Sequence, residues 1–202
     1  MITFALAKGR LAEKTVDLLI KCNIDCINIL EPTRKLELFD VSGEYRFIFV
    51  KPTDVPTYVE HGIADIGVCG KDTLLEADAS ILEMLDLGFS KCKLCIAGYT
   101  DDYPINTRVA TKYVKFAKRV FAEKSMNVEI IKLNGSVELG PVLGLSDVIV
   151  DVVESGNTIK DNGLKVLEEL EDSSARLIVN RTSLRLKQDK IKDLLSDIEA
   201  VL

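Results

Sequence analysis

Runs rich in valine and isoleucine alternate with stretches of helical period along this whole chain, and that alternation restricts the fold more than any single motif does. Short continuous apolar runs suit strands covered on both faces. The amphipathic stretches between them suit crossover helices, so the pattern specifies an α/β fold with a largely parallel sheet. Strands are expected at Ile2–Leu6, Tyr45–Val50, Asp65–Cys69, Lys91–Gly98, Arg108–Thr111, Asn127–Lys132, Asp147–Val153 and Arg176–Asn180. Helices are expected at Leu11–Cys22, Asp54–His61, Lys71–Ala77, Lys112–Lys124, Val137–Gly144, Ile159–Glu171 and from about Leu186 to Ala200. Eight strands exceed the roughly 4–6 of a typical sheet. Two lobes, each a mostly parallel sheet flanked by helices, therefore suit 202 residues better than one. The chain is expected to cross after Leu85-Asp86-Leu87-Gly88-Phe89 and again near Ser173–Ile178, giving lobe I as residues 1–90 plus 178–202 and lobe II as residues 91–177. Ligands of such folds are expected in the cleft, at the carboxyl ends of strands.

Charge and composition narrow the function. Acidic residues number 32 against 26 basic, a formal charge of −6, which argues against non-specific nucleic-acid binding and requires any anionic ligand to be met by local positive charge. With no Trp and a single His, base-stacking RNA modules and His-rich metal cages are disfavoured. A Ser-His-Asp site would have to use His61, which instead reads as a helix-end residue. No stretch reaches the roughly 20 apolar residues of a membrane span, and the amino-terminal run lacks the basic start of a secretory signal, so a soluble, cytoplasmic protein is expected. Five cysteines cannot all pair within the chain, and reduced thiols are the simpler expectation. The spacings Cys22-x3-Cys26 and Cys92-x2-Cys95 suggest zinc only weakly, because a strand would point Cys92 and Cys95 to opposite faces.

The segment Val148-Ile149-Val150-Asp151-Val152-Val153-Glu154-Ser155-Gly156-Asn157-Thr158 reads as a buried strand, a loop of small and hydroxylated residues, and a helix start. Unpartnered N–H groups and the helix dipole at such a junction can hold a phosphate without a lysine. Gly156 allows close backbone approach, Ser155 and Thr158 add hydroxyls, and Asp151 or Glu154 could accept from ribose hydroxyls or hold a metal-bound water. An ordinary turn with Ser155 or Thr158 as a helix cap would read the same way. A second junction, Leu6-Ala7-Lys8-Gly9-Arg10-Leu11, places two cations around a glycine, and Thr33-Arg34-Lys35-Leu36 and Lys51 add further positive charge. Gly62-Ile63-Ala64-Asp65-Ile66-Gly67-Val68-Cys69-Gly70-Lys71-Asp72 is dense in glycine, either for a ligand or for packing a helix onto a strand. At Asn134-Gly135-Ser136-Val137-Glu138, Ser136 or Asn134 is a candidate cap and Glu138 a candidate cleft residue. The run Arg181, Arg185, Lys187, Lys190 and Lys192 reads as a solvated helical face.

Taken together and in this order, Ala7-Lys8-Gly9-Arg10, Thr33-Arg34-Lys35-Leu36, Asp54-Val55-Pro56, the Gly62–Asp72 segment, Asn134-Gly135-Ser136-Val137-Glu138 and Asp151–Thr158 with Asn162-Gly163-Leu164 resemble the ATP phosphoribosyltransferase family over essentially the whole chain. The chain stops soon after the last helix, which resembles the family's short form. The resemblance implies a two-lobed fold like a type II periplasmic binding protein. It implies transfer of the phosphoribosyl group of phosphoribosyl pyrophosphate to N1 of the ATP adenine, with magnesium, as the first step of histidine biosynthesis. It further implies a homodimer assembling with a catalytically inert, histidyl-tRNA-synthetase-like subunit that carries feedback inhibition by histidine. Arg10 and Arg34 are the implied catalytic residues. Lys8, Gly9, Lys51, Asp72, Glu138, Asp151, Val153, Glu154, Ser155, Gly156, Asn157 and Thr158 are implied to bind substrate, and no residue is implied as a metal ligand. A solute-binding protein of the same fold and a transferase using another base are the rival readings.

Overall fold

The computed structural model describes residues 1–31, 33–100 and 106–202. The chain forms two compact units, Met1–Ser90 with Ser174–Leu202, and Lys91–Ser173. The first unit begins with β1 (Ile2–Ala7), α1 (Arg10–Lys21), β2 (Glu37–Phe39), β3 (Tyr45–Val50), α2 (Val55–Glu60), β4 (Ile66–Gly70), α3 (Lys71–Ala77) and β5 (Leu82–Asp86). The second contains β6 (Cys92–Gly98), β7 (Thr107–Thr111), α4 (Val114–Glu123), β8 (Val128–Lys132), α5 (Leu139–Val142), β9 (Val148–Val153), α6 (Asn157–Asp161) and β10 (Lys165–Ser173). The chain then returns to the first unit with β11 (Ala175–Val179), α7 (Arg181–Leu186) and α8 (Gln188–Val201).

Each unit is built on a mixed sheet. The first has the order β2-β3-β1-β4-β11-β5, parallel across β3-β1-β4 and antiparallel where β2, β11 and β5 join. The second has the order β10-β6-β9-β7-β8, parallel across β9-β7-β8 and antiparallel across β10-β6-β9. The parallel strands therefore end together, and their carboxyl ends gather several loops on one edge of each sheet.

Helices α1 and α8 cover one face of the first sheet. Ala12, Val16, Leu18 and Leu19 of α1 and Ile191, Leu194, Leu195 and Ile198 of α8 share a core with Phe4, Leu6, Phe47 and Ile66. The Phe4 and Phe47 rings stack at 5.3 Å in that core. On the opposite face, Val55 and Val59 of α2 pack on Ala5, Cys69 and Ile178. A Cβ at Gly67 would lie 2.8 Å from Val55 and 2.7 Å from Val59, so this glycine serves helix-on-strand packing rather than a ligand.

Several elements differ from the expectations. The helix expected over Ile159–Glu171 ends at Asp161, and the rest of that stretch forms β10, paired antiparallel with β6. Gly163, at φ 74°, stops the helix, and the paired backbone of β6 overrides the helical preference of the Glu- and Leu-rich sequence. Strands β2 and β5 were not expected. The second crossing lies at Ser173–Ser174, so residues 174–177 belong to the first unit because β11 pairs with β4 and β5. The last helix is two, α7 and α8, with α7 capped by Asn180, whose side chain accepts from the Ser183 N–H at 2.8 Å. Lys187 is no idle member of a solvated face, since it pairs with buried Asp65 at 2.7 Å and donates to the Met1 carbonyl.

Candidate functional site

The carboxyl edge of the first sheet carries most of the expected cations. The register that pairs Ala7 with Val50 brings Lys8 and Lys51 to the ends of neighbouring parallel strands, with Gly70 following on the other side of β1. Gly9, at φ 100°, turns the chain from β1 into α1 and leaves exposed Arg10 as the helix's first residue. The Lys8 ammonium donates to the Thr33 carbonyl at 3.0 Å and lies 5.4 Å from the Phe49 ring centre. That contact ties the Thr33-Arg34 segment to the β1 loop, and Arg34 itself is exposed and makes no hydrogen bond or ion pair with another described residue. A hollow of about 250 Å³, lined in part by Lys8, Gly9, Leu30, Thr33 and Phe49, lies beside these groups. Asp72, in the first turn of α3, folds its carboxylate back over Gly70, where an added Cβ would sit 2.1 Å from Oδ1.

The carboxyl edge of the second sheet is built differently. Strand β9 ends at Val153, and Gly156, at φ 75° and ψ 2°, caps the short helix α6 without any side-chain hydrogen bond. The Ser155 or Thr158 cap of an ordinary turn, the rival reading of this segment, is therefore absent. Ser155 Oγ accepts weakly from the Asn157 N–H at 3.4 Å. Among the described residues, the N–H groups of Ser155, Gly156 and Thr158 have no acceptor, and the first bond closing the turn runs from Lys160 to the Gly156 carbonyl. Main-chain donors without acceptors around a left-handed glycine are an arrangement chemically able to meet an anion. The loop after β8 also departs from the expected cap: Ser136 is left-handed at φ 47°, α5 has no side-chain cap, and Val137 is buried while Glu138 is half-exposed.

Asp151, three residues before Ser155, is mostly buried, with 17% of its side chain exposed. Its Oδ1 is enclosed and accepts no hydrogen bond, while the Lys112 ammonium stands 3.4 Å away. Burial pushes the Asp151 carboxyl above its ordinary range, Lys112 opposes that rise, and Glu138 adds to it. Lys112 and the adjoining buried Tyr113 were absorbed into an expected helix, although a cation directly after an apolar strand had already been noted at Lys8 and Lys51.

Other candidates fall away from these edges. His61 ends α2, exposed, with Nδ1 2.9 Å from the Thr57 carbonyl. None of the five cysteines is in a disulfide, and burial pushes the Cys26 thiol up to about 12 and the Cys95 thiol up to about 11. Among the described residues no group of three or more His, Cys, Asp or Glu side chains could hold a metal ion, and no helix is long and apolar enough to cross a membrane.

Comparison with known proteins adds to this geometry. A family model described as "HisG: ATP phosphoribosyltransferase" matches residues 51–200. The chain is 49% identical, over all of its length and 98% of the relative's, to the ATP phosphoribosyltransferase of Caldanaerobacter subterraneus subsp. tengcongensis. It is 51% identical to that of Thermoanaerobacter pseudethanolicus, over all of this chain and 96% of the relative. Among solved structures, the ATP phosphoribosyl transferase (HisG:HisZ) complex from Thermotoga maritima superposes with a TM-score of 0.87 at 36% identity, covering 100% of this chain and 98% of that one. The VFT2 domain of Bordetella pertussis BvgS, at TM-score 0.62 and 13% identity, shares the fold alone.

Proposed function

From the premise that the chain belongs to the ATP phosphoribosyltransferase family, we propose which of its groups carry out that family's reaction. The protein transfers the 5-phosphoribosyl group of phosphoribosyl pyrophosphate to N1 of the ATP adenine and releases pyrophosphate, the first step of histidine biosynthesis. The observation that carries our assignment is the turn after β9, where the N–H groups of Ser155, Gly156 and Thr158 have no other described acceptor. These donors, with the Ser155 and Thr158 hydroxyls, hold the donor's 5-phosphate, and Val153, Glu154 and Asn157 shape the same turn. Asp151 accepts from the ribose hydroxyls, and Glu138 is a second carboxylate for the same substrate.

Departure of pyrophosphate leaves an oxocarbenium-like ribosyl centre while negative charge grows on the leaving group. Arg10 and Arg34 meet that charge with planar guanidinium forks, and Lys8 and Lys51 add point charges from neighbouring strand ends. Gly9 lets the backbone turn closely under the anion, and Asp72, folded over Gly70, takes part in binding substrate. N1 of adenine is already nucleophilic, so holding the two substrates in line supplies much of the rate and no strong general base is needed.

Magnesium dependence is part of the proposal. The described residues offer no cluster of three acidic or imidazole donors, and the enclosed face of Asp151 already meets an ammonium, so they do not form a protein cage for the ion. A magnesium ion in this reaction would arrive on the substrates' phosphates, as small divalent cations prefer. We further propose that a homodimer assembles with a HisZ-type subunit, on the strength of the Thermotoga maritima complex, and that the protein works in the cytoplasm, where its five cysteines, none of them in a disulfide, would stay reduced.

Mixing the protein with magnesium, phosphoribosyl pyrophosphate and ATP should produce the ultraviolet absorbance of an N1-substituted adenine. A chain that binds ligand without absorbance change, with and without the HisZ-type subunit, would contradict the catalytic reading.

A further inference from the structure

Lys112 was not among the residues that the motifs singled out, yet it directly follows β7 of the second sheet and stands beside Asp151. Strands β7 and β9 run parallel, with Thr111 opposite Val150, so the next residue of each, Lys112 and Asp151, leave neighbouring strands at the same level. Their side chains meet at 3.4 Å. The surroundings hold Lys112 in that place. Thr111, fully buried, donates its hydroxyl to the Val150 carbonyl at 2.6 Å and accepts from the Tyr113 N–H at 2.9 Å, pinning the backbone on both sides of Lys112. The ammonium also lies 4.8 Å from the Tyr113 ring centre, a cation–π distance.

The Asp151 carboxylate needs that neighbour. It is largely buried, and its enclosed Oδ1 has no hydrogen-bond donor. A carboxylate so placed is costly to keep ionised unless a cation stands beside it. Of the other groups acting on it, the Val152 main-chain N–H favours the charged form less than Lys112 does, Glu138 is of like charge, and Cys95, its partner across the β6 pairing, carries a thiol that burial keeps protonated. Lys112 is the cation that acts on it. Its ammonium, with donors to spare, also prevents the carboxyl from turning away from the strand end.

We propose that Lys112 is a positioning residue for the phosphoribosyl donor: it keeps the Asp151 carboxylate ionised and aimed at the ribose hydroxyls, without touching the reacting atoms itself. This rests on the assignment of Asp151 to the donor's ribose. Lys112 therefore affects use of phosphoribosyl pyrophosphate and not of ATP.

The test is steady-state kinetics of Lys112→Met and Lys112→Arg, with each substrate varied in turn, and the melting temperature of both variants. Lys112→Met should raise the KM for phosphoribosyl pyrophosphate about tenfold while leaving the KM for ATP within about twofold. Its acid limb of kcat/KM for the donor should move to higher pH, because Asp151 then takes up its proton more readily. Lys112→Arg, which keeps a cation in reach, should restore both within about threefold. Equal rises in both KM values, an unmoved acid limb in Lys112→Met, or failure of arginine to rescue a folded variant would each overturn the proposal. Absence of the N1-substituted product with the unaltered protein would instead strike the assigned reaction, so the two failures are distinguishable.

Discussion

The turns after β1 and after β9 are alike in backbone and unlike in charge. Each leads a strand into a helix through a glycine of positive φ, 100° at Gly9 and 75° at Gly156, and neither helix has a side-chain cap. The first is flanked by Lys8 and Arg10, whereas residues 151–158 contain no lysine or arginine. Main-chain amides are fixed by the fold and suit a phosphate whose position must not change during reaction. Long cationic side chains follow charge as it develops, and suit a leaving group. In a chain of net charge −6, confining positive charge to one such turn also gives an anionic ligand a local address that the overall field does not provide.

Substitutions at the two turns break or sharpen this contrast. The largest effect should come from Gly156→Ala. A Cβ there meets only Val153 at 3.7 Å, but φ 75° is strained for any side chain, and a turn that relaxes misaims its N–H groups. A fall of about 100-fold in kcat/KM for phosphoribosyl pyrophosphate, with a loss of only a few degrees in Tm, is expected. Near-normal kinetics would remove the backbone from donor binding. Arg34→Ala should lower kcat by about 30- to 100-fold with Tm unchanged, since the side chain supports no described contact. Unaltered turnover would leave the leaving group to other cations.

Gly67→Ala provides the opposite pattern and guards against reading every glycine as a ligand site. A Cβ 2.7 Å from Val59 and 2.8 Å from Val55 forces α2 off β4, at about 2 kcal/mol or about 5 °C in Tm, while the folded fraction keeps its kcat/KM. A kinetic defect without a stability defect would show that this segment touches substrate after all.

The smallest effect concerns the amino edge of the first sheet, where an acid–cation pair serves only stability. Burial works against the Asp65 carboxylate, but hydrogen bonds from Lys187, Ser183 and the Thr3 N–H outweigh it and hold the group below the usual carboxylate range. A carboxyl whose folded pKa is depressed adds stability above its unfolded pKa, about 3.9, and loses that contribution as pH falls through the folded value. Thermal melts of Asp65→Asn and the unaltered protein should therefore differ at neutral pH, begin to approach each other only below about pH 4, and converge as pH falls through the depressed folded value. A difference that persists in acid would show that packing, not charge, supports this corner.

Most of the architecture was legible because buried parallel strands carry their own pattern: Tyr45–Val50 was expected with its observed bounds, and β1, β4, β7 and β9 within one residue at each end. The strands that escaped notice are those whose sequence lacks that pattern. Strand β10 is an edge strand of Lys, Glu and Leu with two irregularities in its pairing, and its helical spacing is real but overruled by β6. The Asn162-Gly163 stop was nonetheless present in the sequence. Strand β2 is three residues long and β5 mostly exposed, so neither had a continuous apolar run to reveal it. At the site, the Lys8-Gly9-Arg10 and Asp151–Thr158 segments announced themselves through local chemistry. Lys112 did not, because its meaning comes from its β9 neighbour 39 residues away.

The central assignment is that main-chain amides after β9 hold the donor's 5-phosphate. A crystal structure with phosphoribosyl pyrophosphate bound tests it most directly. The account predicts phosphate oxygens about 3 Å from the N–H groups of Ser155, Gly156 and Thr158. A donor bound in full with those three N–H groups facing only water would contradict it.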